Sequence, residues 1–307
     1  MYGSTTSLDI TALLTLRIIR GDSMLKDWHL VERIESTSAY EDNSVVMYPR
    51  IFTDLFLLPL QSTNVKEKLS NGMFSQVIIY SPDGLTHGYY ARLLIVILTT
   101  QVRKNTCNEF RLEKSISALY KRCTGRNMGG GSQAILESVL EKIYTLSVYQ
   151  HENIKAKFAG LDIRKSLLIT EHLCIKKNNE KMTDVVFKPS DSFKNLVQVG
   201  GAHPIDMRAL QFFRANRTVF ALDLYIYLTR KAVHLKTSSK LLNWELLKSI
   251  FPNIAHLKAC IFKQRIKCAL MLVKLVYLEL NAEVIDNKGL LIKKSQPHVK
   301  WINRNNL

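Results

Sequence analysis

Residues 256–277 read HLKACIFKQRIKCALMLVKLVY, and their spacing predicts an amphipathic helix. Phe262, Ile266, Ala269, Leu270 and Val273 fall on one buried stripe, which leaves Cys260, Gln264, Lys267 and Met271 on the opposite side with Lys263 flanking them. Upstream, residues 244–250 predict a compact helix that stops at Phe251-Pro252-Asn253, because proline cannot continue the helical hydrogen bonding. Downstream, residues 282–285 and 290–294 predict a strand pair joined by Asp286-Asn287-Lys288-Gly289, a turn in which asparagine and glycine accept positive φ. Helix, turn, helix and basic hairpin is the order a duplex-DNA reader needs: one helix fits the major groove and cations beside it meet phosphates.

The unit extends back to Pro204, with a short helix over 207–213 and a longer one over 219–233 that places Leu222, Tyr225, Ile226 and Thr229 on one face. An earlier stretch repeats the order. Residues 89–102 predict a first helix with Ala91, Leu94, Ile95 and Leu98 inward, followed by the extended Phe110-Arg111-Leu112. A second helix starts at Ser115 and closes near Gly125, and Gly129-Gly130-Gly131 precedes Ser132, a residue suited to an N-cap. The third helix spans 133–146 with Leu136, Val139, Leu140 and Ile143 inward. Residues 147–151 and 167–175 read as the strands of a wing around a long basic loop, 184–188 as a last strand, and 189–201 as a linker. The expected fold class is therefore α+β: two winged-helix domains in tandem, at 71–195 and 203–300, each a helix-turn-helix plus β-hairpin. Residues 1–70 form an N-terminal extension with 7 Lys+Arg against 9 Asp+Glu, a balance unsuited to phosphate. Within it, 24–34 has weak helical spacing, 36–44 is polar, and an apolar run follows Tyr48-Pro49-Arg50 through Leu60. Residues 77–80 predict a strand that ends at the turn Ser81-Pro82-Asp83-Gly84.

A chain of 307 residues with 47% hydrophobic content is long enough for two cored domains and is not mainly disordered. Its net charge of +17 points to a polyanionic partner, although charge alone does not separate DNA from RNA or an anionic membrane. Residues 203–307 hold 18 Lys+Arg against 6 Asp+Glu, so most of the excess lies in the second unit. The five cysteines make no C-x-x-C pair and read as reduced thiols, mostly core, in a cytoplasm. The histidines show no ligand spacing, so no metal and no cofactor is expected. Asp9 precedes the apolar residues 10–16 and Arg17, the reverse of a secretory signal, and no stretch has membrane-spanning length.

For the groove the candidates are Lys263, Gln264 and Lys267, since glutamine can pair with adenine and lysine with guanine O6 and N7. Lys258 and Arg265 are assigned to the backbone, and Lys288, Lys293 and Lys294 to the hairpin as a wing on the sugar-phosphate. A solvated helix also shows a charged face; the turn, helix and hairpin taken together favour DNA. In the first unit the third helix exposes Glu137, Ser138 and Glu141, which repel phosphate. Its cations lie just before it, at Lys121, Arg122 and Arg126, so Lys121, Arg122, Arg126, Ser132 and Gln133 are the candidates for a helix tip entering the groove. A protein contact such as a dimer interface is the rival use of that helix.

Several stretches, in order, resemble the RepA-type plasmid replication initiators over residues 48–299. They are Gly88-Tyr89-Tyr90-Ala91-Arg92-Leu93-Leu94, Gly129-Gly130-Gly131, His203-Pro204-Ile205-Asp206 and Ala221-Leu222-Asp223-Leu224-Tyr225-Ile226-Tyr227-Leu228 with Arg230. Trp244 with Leu247, Phe262-Lys263 ahead of Leu270 and Val273, and the Gly289-Leu290 hairpin closed by Pro297 complete the likeness. The resemblance implies a protein that binds repeated double-stranded sites (iterons) at a plasmid origin and helps open the adjacent duplex. It also implies recruitment of a host initiator protein and the replicative helicase, repression of its own promoter, and exchange between an inactive homodimer and an active monomer. The acidic outer face of 133–146 departs from a base-reading first domain. Two alternatives stand beside this one. A winged-helix transcriptional repressor would use the same modules. A tyrosine nickase would need a His-hydrophobic-His metal pair, which is absent; His87 near Tyr89 and Tyr90 is the nearest approach, on an apolar helix. No G-x-x-x-x-G-K-[ST] loop is present, so the expectation is a DNA-binding protein without enzymatic activity.

Overall fold

The computed structural model describes residues 26–53, 58–60, 67–71, 75–104, 107, 109–152, 164–168, 170–178, 181–199 and 201–300. The apolar run at 10–16, part of the run leading to Leu60 and most of the expected basic loop after 152 lie outside them. The N-terminal part holds α1 (Trp28–Ser36), β1 (Val45–Pro49) and the single turn α2 (Arg50–Thr53). Next come β2 (Glu67–Asn71), β3 (Ser75–Tyr80), α3 (Gly88–Lys104), β4 (Phe110–Glu113), α4 (Ile116–Thr124) and α5 (Ser132–Tyr144). Strands β5 (Ser147–Glu152), β6 (Arg164–Leu168), β7 (Thr170–Asn178) and β8 (Lys181–Pro189) follow, then α6 (Asp191–Gln198) and β9 (Ala202–Asp206). The C-terminal part comprises α7 (Met207–Ala215), α8 (Val219–Lys231), β10 (Ser239–Asn243), α9 (Trp244–Ile250), α10 (Ala259–Val276), β11 (Ala282–Ile285) and β12 (Gly289–Lys293).

Two of the sheets share one topology. Strands β4-β8-β7 and β10-β12-β11 each place the strand after the first helix at an edge and the last strand in the centre, with antiparallel pairing. The series α3, β4, α4, α5, β7, β8 is thus repeated by α8, β10, α9, α10, β11, β12. In the first unit the hairpin of this series is β7–β8; of the expected pairing of 147–151 with 167–175, only Leu167 and Leu168, at the end of β6, pair with β5. Strand β5 lies between β3 and β6 in a separate sheet ordered β2-β3-β5-β6, meeting β3 from Ser75↔Glu152 to Tyr80↔Ser147 and β6 from Ser147↔Leu168 to His151↔Arg164. The segment 167–175 straddles β6 and β7, which go to different sheets, a choice that is tertiary and has no local signature.

The expected linker at 189–201 contains α6. The Ser190 hydroxyl accepts the Phe193 N–H at 3.0 Å, and Phe193 and Val197 are buried. Strand β9 then pairs with β1, from Val45↔Asp206 to Pro49↔Ala202, tying the N-terminal part to the start of the second unit. Arg208 completes that tie: its guanidinium donates to the Arg33 and Thr37 carbonyls at 2.8 and 2.9 Å and pairs with Asp206 at 2.7 Å.

One continuous cluster of buried apolar side chains runs through both units. Helices α3 and α8 carry apolar residues nearly all round and are buried accordingly. Between them Arg92 and Asp223, 1% and 2% exposed, form an ion pair with N···O distances of 2.5 and 2.8 Å. The other guanidinium hydrogens go to the carbonyls of Leu58, Pro59 and Gly88, so the buried charge is fully bonded. Burial opposes the Arg92 charge, but the Asp223 carboxylate more than offsets it and raises the Arg92 pKa above its ordinary value. No helix among the described residues is long and apolar enough to cross a membrane.

Candidate nucleic-acid interface

The stripe expected for α10 is the one the fold buries: Phe262, Ile266, Ala269, Leu270 and Val273 all lie in the core. The helix is shorter than 256–277, starting after Lys258, which takes the N-cap position without a side-chain cap because lysine has no acceptor. Cys260 and Gln264 are exposed on the outer face, with Lys258 exposed at the N-cap and Arg265 on the flank, while Lys263, Lys267 and Met271 are half-buried. Gln264 donates to Cys268 Sγ at 3.4 Å, a weak bond that leaves its carbonyl oxygen open for a base.

The half-buried lysines are held by residues to which the sequence reading gave no role at the site. Trp244, at the start of α9, packs edge-on against Phe262 and carries the Lys263 ammonium 5.3 Å from its ring centroid. Its indole N–H donates to the Asp286 carbonyl at 3.1 Å, pinning the β11–β12 turn to the helices. The Asp286 side chain pairs with Lys267 at 2.5 Å, and that bond, aided by the nearby Lys263, holds its carboxyl below the usual range. A tryptophan just after the Asn243 cap and an acid in a tight turn were the available signals; which lysines they meet is tertiary.

The hairpin divides the expected wing residues. Lys288 is exposed in the turn, its N–H bonded to the Ile285 carbonyl at 2.9 Å. Lys293 lies at the far end of β12, about 13 Å from Gly289 at the usual rise per residue, and pairs with Glu283 at 3.0 Å. Lys294 is exposed beside it, its N–H on the Ser238 carbonyl at 3.0 Å. Of the three lysines expected at the sugar-phosphate, Lys288 is the one in the turn next to α10. Positive φ in this turn belongs to Gly289, at 141°, and not to Asn287. A Cβ there would stand 1.9 Å from the Leu242 carbonyl oxygen, so glycine permits β10 and β12 to close together.

In the first unit the tip of α5 is less open than the sequence implied. Arg122 pairs with Glu113 at 3.2 Å, Arg126 pairs with Asp27, and Gln133 donates to Glu137 at 2.8 Å. Lys121 is exposed. Ser132 is the first helical residue and not the cap; Gly131, at φ 76°, takes the cap position. Ile135 is exposed on the outer face with Ser138 and Glu141. Tyr89, weighed as a nucleophile, is buried with its hydroxyl on the Cys123 carbonyl at 3.4 Å, and burial raises its pKa far above the ordinary value. Among the described residues no group of three or more His, Cys, Asp or Glu is placed to hold a metal ion. Cys107 and Cys260 are exposed and Cys123 is buried, so the thiols are less uniformly core than expected.

No protein-family model matches the chain, and no curated protein does. Among solved structures it is similar to crystal structures of domains 2 and 3 of RctB. A selenomethionine derivative shares 11% identity at a TM-score of 0.56, over 81% of this chain and 98% of that one. A second structure, spanning residues 155–483 of RctB, shares 12% identity at a TM-score of 0.52, over 79% of this chain and 96% of that one. The chain thus has a mixed α+β fold of the kind found in domains 2 and 3 of RctB.

Proposed function

We propose that this chain is a DNA replication initiator built from two winged-helix units, 71–195 and 203–300, and that the second unit reads duplex DNA. The observation that carries the reading is the outer face of α10. Gln264 is exposed on it, with Lys258 at the N-cap, Arg265 on the flank, and Lys263 and Lys267 beside the turn bearing Lys288, on a helix whose opposite stripe is wholly buried. A helix so placed can lie in the major groove with its amide and cations at base edges and the turn at the flanking backbone. The likeness to domains of RctB, a replication initiator with winged-helix domains, supports the initiator role over a bare repressor. The resemblance to RepA-type plasmid initiators adds origin repeats as the target, and a host initiator protein and replicative helicase as partners. We assign no catalytic step, because the tyrosines nearest a histidine are packed or partly buried.

Selecting binding sites from random duplexes, then footprinting the selected sequence on origin DNA, tests the reading. Several directly repeated sites support an initiator; a single inverted repeat over a promoter supports the repressor. Nicking of supercoiled origin DNA with Mg²⁺ or Mn²⁺ would contradict a role without catalysis.

A further inference from the structure

We propose that Asp286 is an internal competitor of DNA for Lys267: its carboxylate holds Lys267 in the free protein and lowers the affinity of the complex in which Lys267 must leave it for a base edge. The proposal deepens the DNA-binding reading and rests on it. Lys267 and Asp286 are 40% and 72% exposed, so their 2.5 Å pair lies on the surface where DNA would dock. The turn cannot swing away with the carboxylate, because the Trp244 indole holds its main chain at the Asp286 carbonyl and Trp244 is itself packed on Phe262. Opening the pair therefore means turning side chains while the turn itself stays in place, which leaves the carboxylate near the incoming strands.

That arrangement treats two kinds of DNA differently. On a random duplex Lys267 would only exchange the carboxylate for a phosphate, one ion pair for another, so it stays with Asp286. A cognate duplex adds a base acceptor for Lys267 at close range, which compensates for the lost pair. An exposed pair of this kind is weak, so a docked base edge can outcompete it. Lys263 is steadied over the Trp244 ring and does not depend on Asp286 for its position.

The test is Asp286→Asn, which keeps the size and turn preference of the residue and leaves the carbonyl bonded to Trp244. Asp286→Ser serves as a second variant, and circular dichroism matching the wild type confirms the fold of each. Binding to a selected duplex and to a random duplex is measured by fluorescence anisotropy over a salt series. Affinity for the selected duplex is expected to rise about two- to fivefold, with an equal or smaller gain on random DNA. The slope of log K against log salt on random DNA steepens by about 0.9, as one more phosphate is neutralised. In a Lys267→Ala background, Asp286→Asn leaves that slope unchanged. Wild-type affinity and slope in Asp286→Asn, or the same gain with and without Lys267, overturns the inference while the DNA reading stands. A wild-type chain that binds neither duplex overturns both.

Discussion

Asp223→Asn removes the carboxylate that neutralises Arg92 while nearly preserving the side-chain volume. The guanidinium is 1% exposed and cannot reach water, so its charge remains in the core. Three carbonyls, from Leu58, Pro59 and Gly88, still accept hydrogen bonds, but none carries a compensating charge. Breaking a buried pair by deleting one partner costs about 3–5 kcal/mol, and the remaining carbonyl bonds place this case near the lower end, at about 3 kcal/mol. Replacing both partners, Arg92→Met with Asp223→Leu, removes the stranded charge and should cost clearly less than the single change. Urea unfolding followed by circular dichroism and tryptophan fluorescence measures both variants. Because α3 and α8 share one core, the two probes should report one coincident transition in the wild type. A loss below about 1 kcal/mol for Asp223→Asn, or a double variant less stable than the single one, would refute the reasoning.

Gln264→Ala should lower affinity for the selected duplex by about 1–3 kcal/mol while leaving random DNA nearly unaffected; equal losses on both would remove Gln264 from the groove. Lys288→Ala should flatten the salt slope by about 0.9 and Lys293→Ala should not, as a salt-series titration of each variant will show. Gly289→Ala should destabilise by at least about 2 kcal/mol in urea unfolding, because its Cβ overlaps the Leu242 carbonyl; wild-type stability would mean that β10 and β12 are not so close. His203 is 3% exposed, and burial, with Arg230 adding repulsion, pushes its pKa down to about 3. The unfolded chain therefore binds the proton first, and stability should fall by up to about 1.4 kcal/mol per pH unit from near 6.5 down towards 3. In His203→Gln that part of the pH dependence should disappear, as urea unfolding across the window will test.

What the sequence revealed depended on how local each cause is. The α10 stripe and the Ser115 and Gly125 ends of α4 rest on spacing and capping, and they stand where expected. Strand β10 escaped notice because Ser239–Asn243 contains no β-branched residue and only Leu242 turns inward. Helix α6 was taken for a linker because Pro189 and glycines flank it; the Ser190 cap, with Phe193 and Val197 one turn apart, was the overlooked signal. The hairpin expected in the first unit was half right, because 167–168 pair with β5 while 170–175 belong to β7 and pair with β8, a division with no local signature. At the candidate site the exposed Lys258, Gln264 and Arg265 were legible from periodicity. The hold of Asp286 on Lys267 was not, because it depends on where the hairpin folds back. The Arg92–Asp223 pair, 131 residues apart in sequence, was equally invisible.

If DNA lies against the outer face of α10, Cys260, exposed near the start of that helix, reports on it directly. Alkylation rates of Cys260 and of Cys107, exposed just beyond α3, can be compared with and without the selected duplex. Saturating duplex should slow Cys260 at least about tenfold, the protection expected of a thiol shielded in more than nine molecules of ten, and leave Cys107 unchanged. Equal Cys260 rates with and without bound DNA would contradict the account.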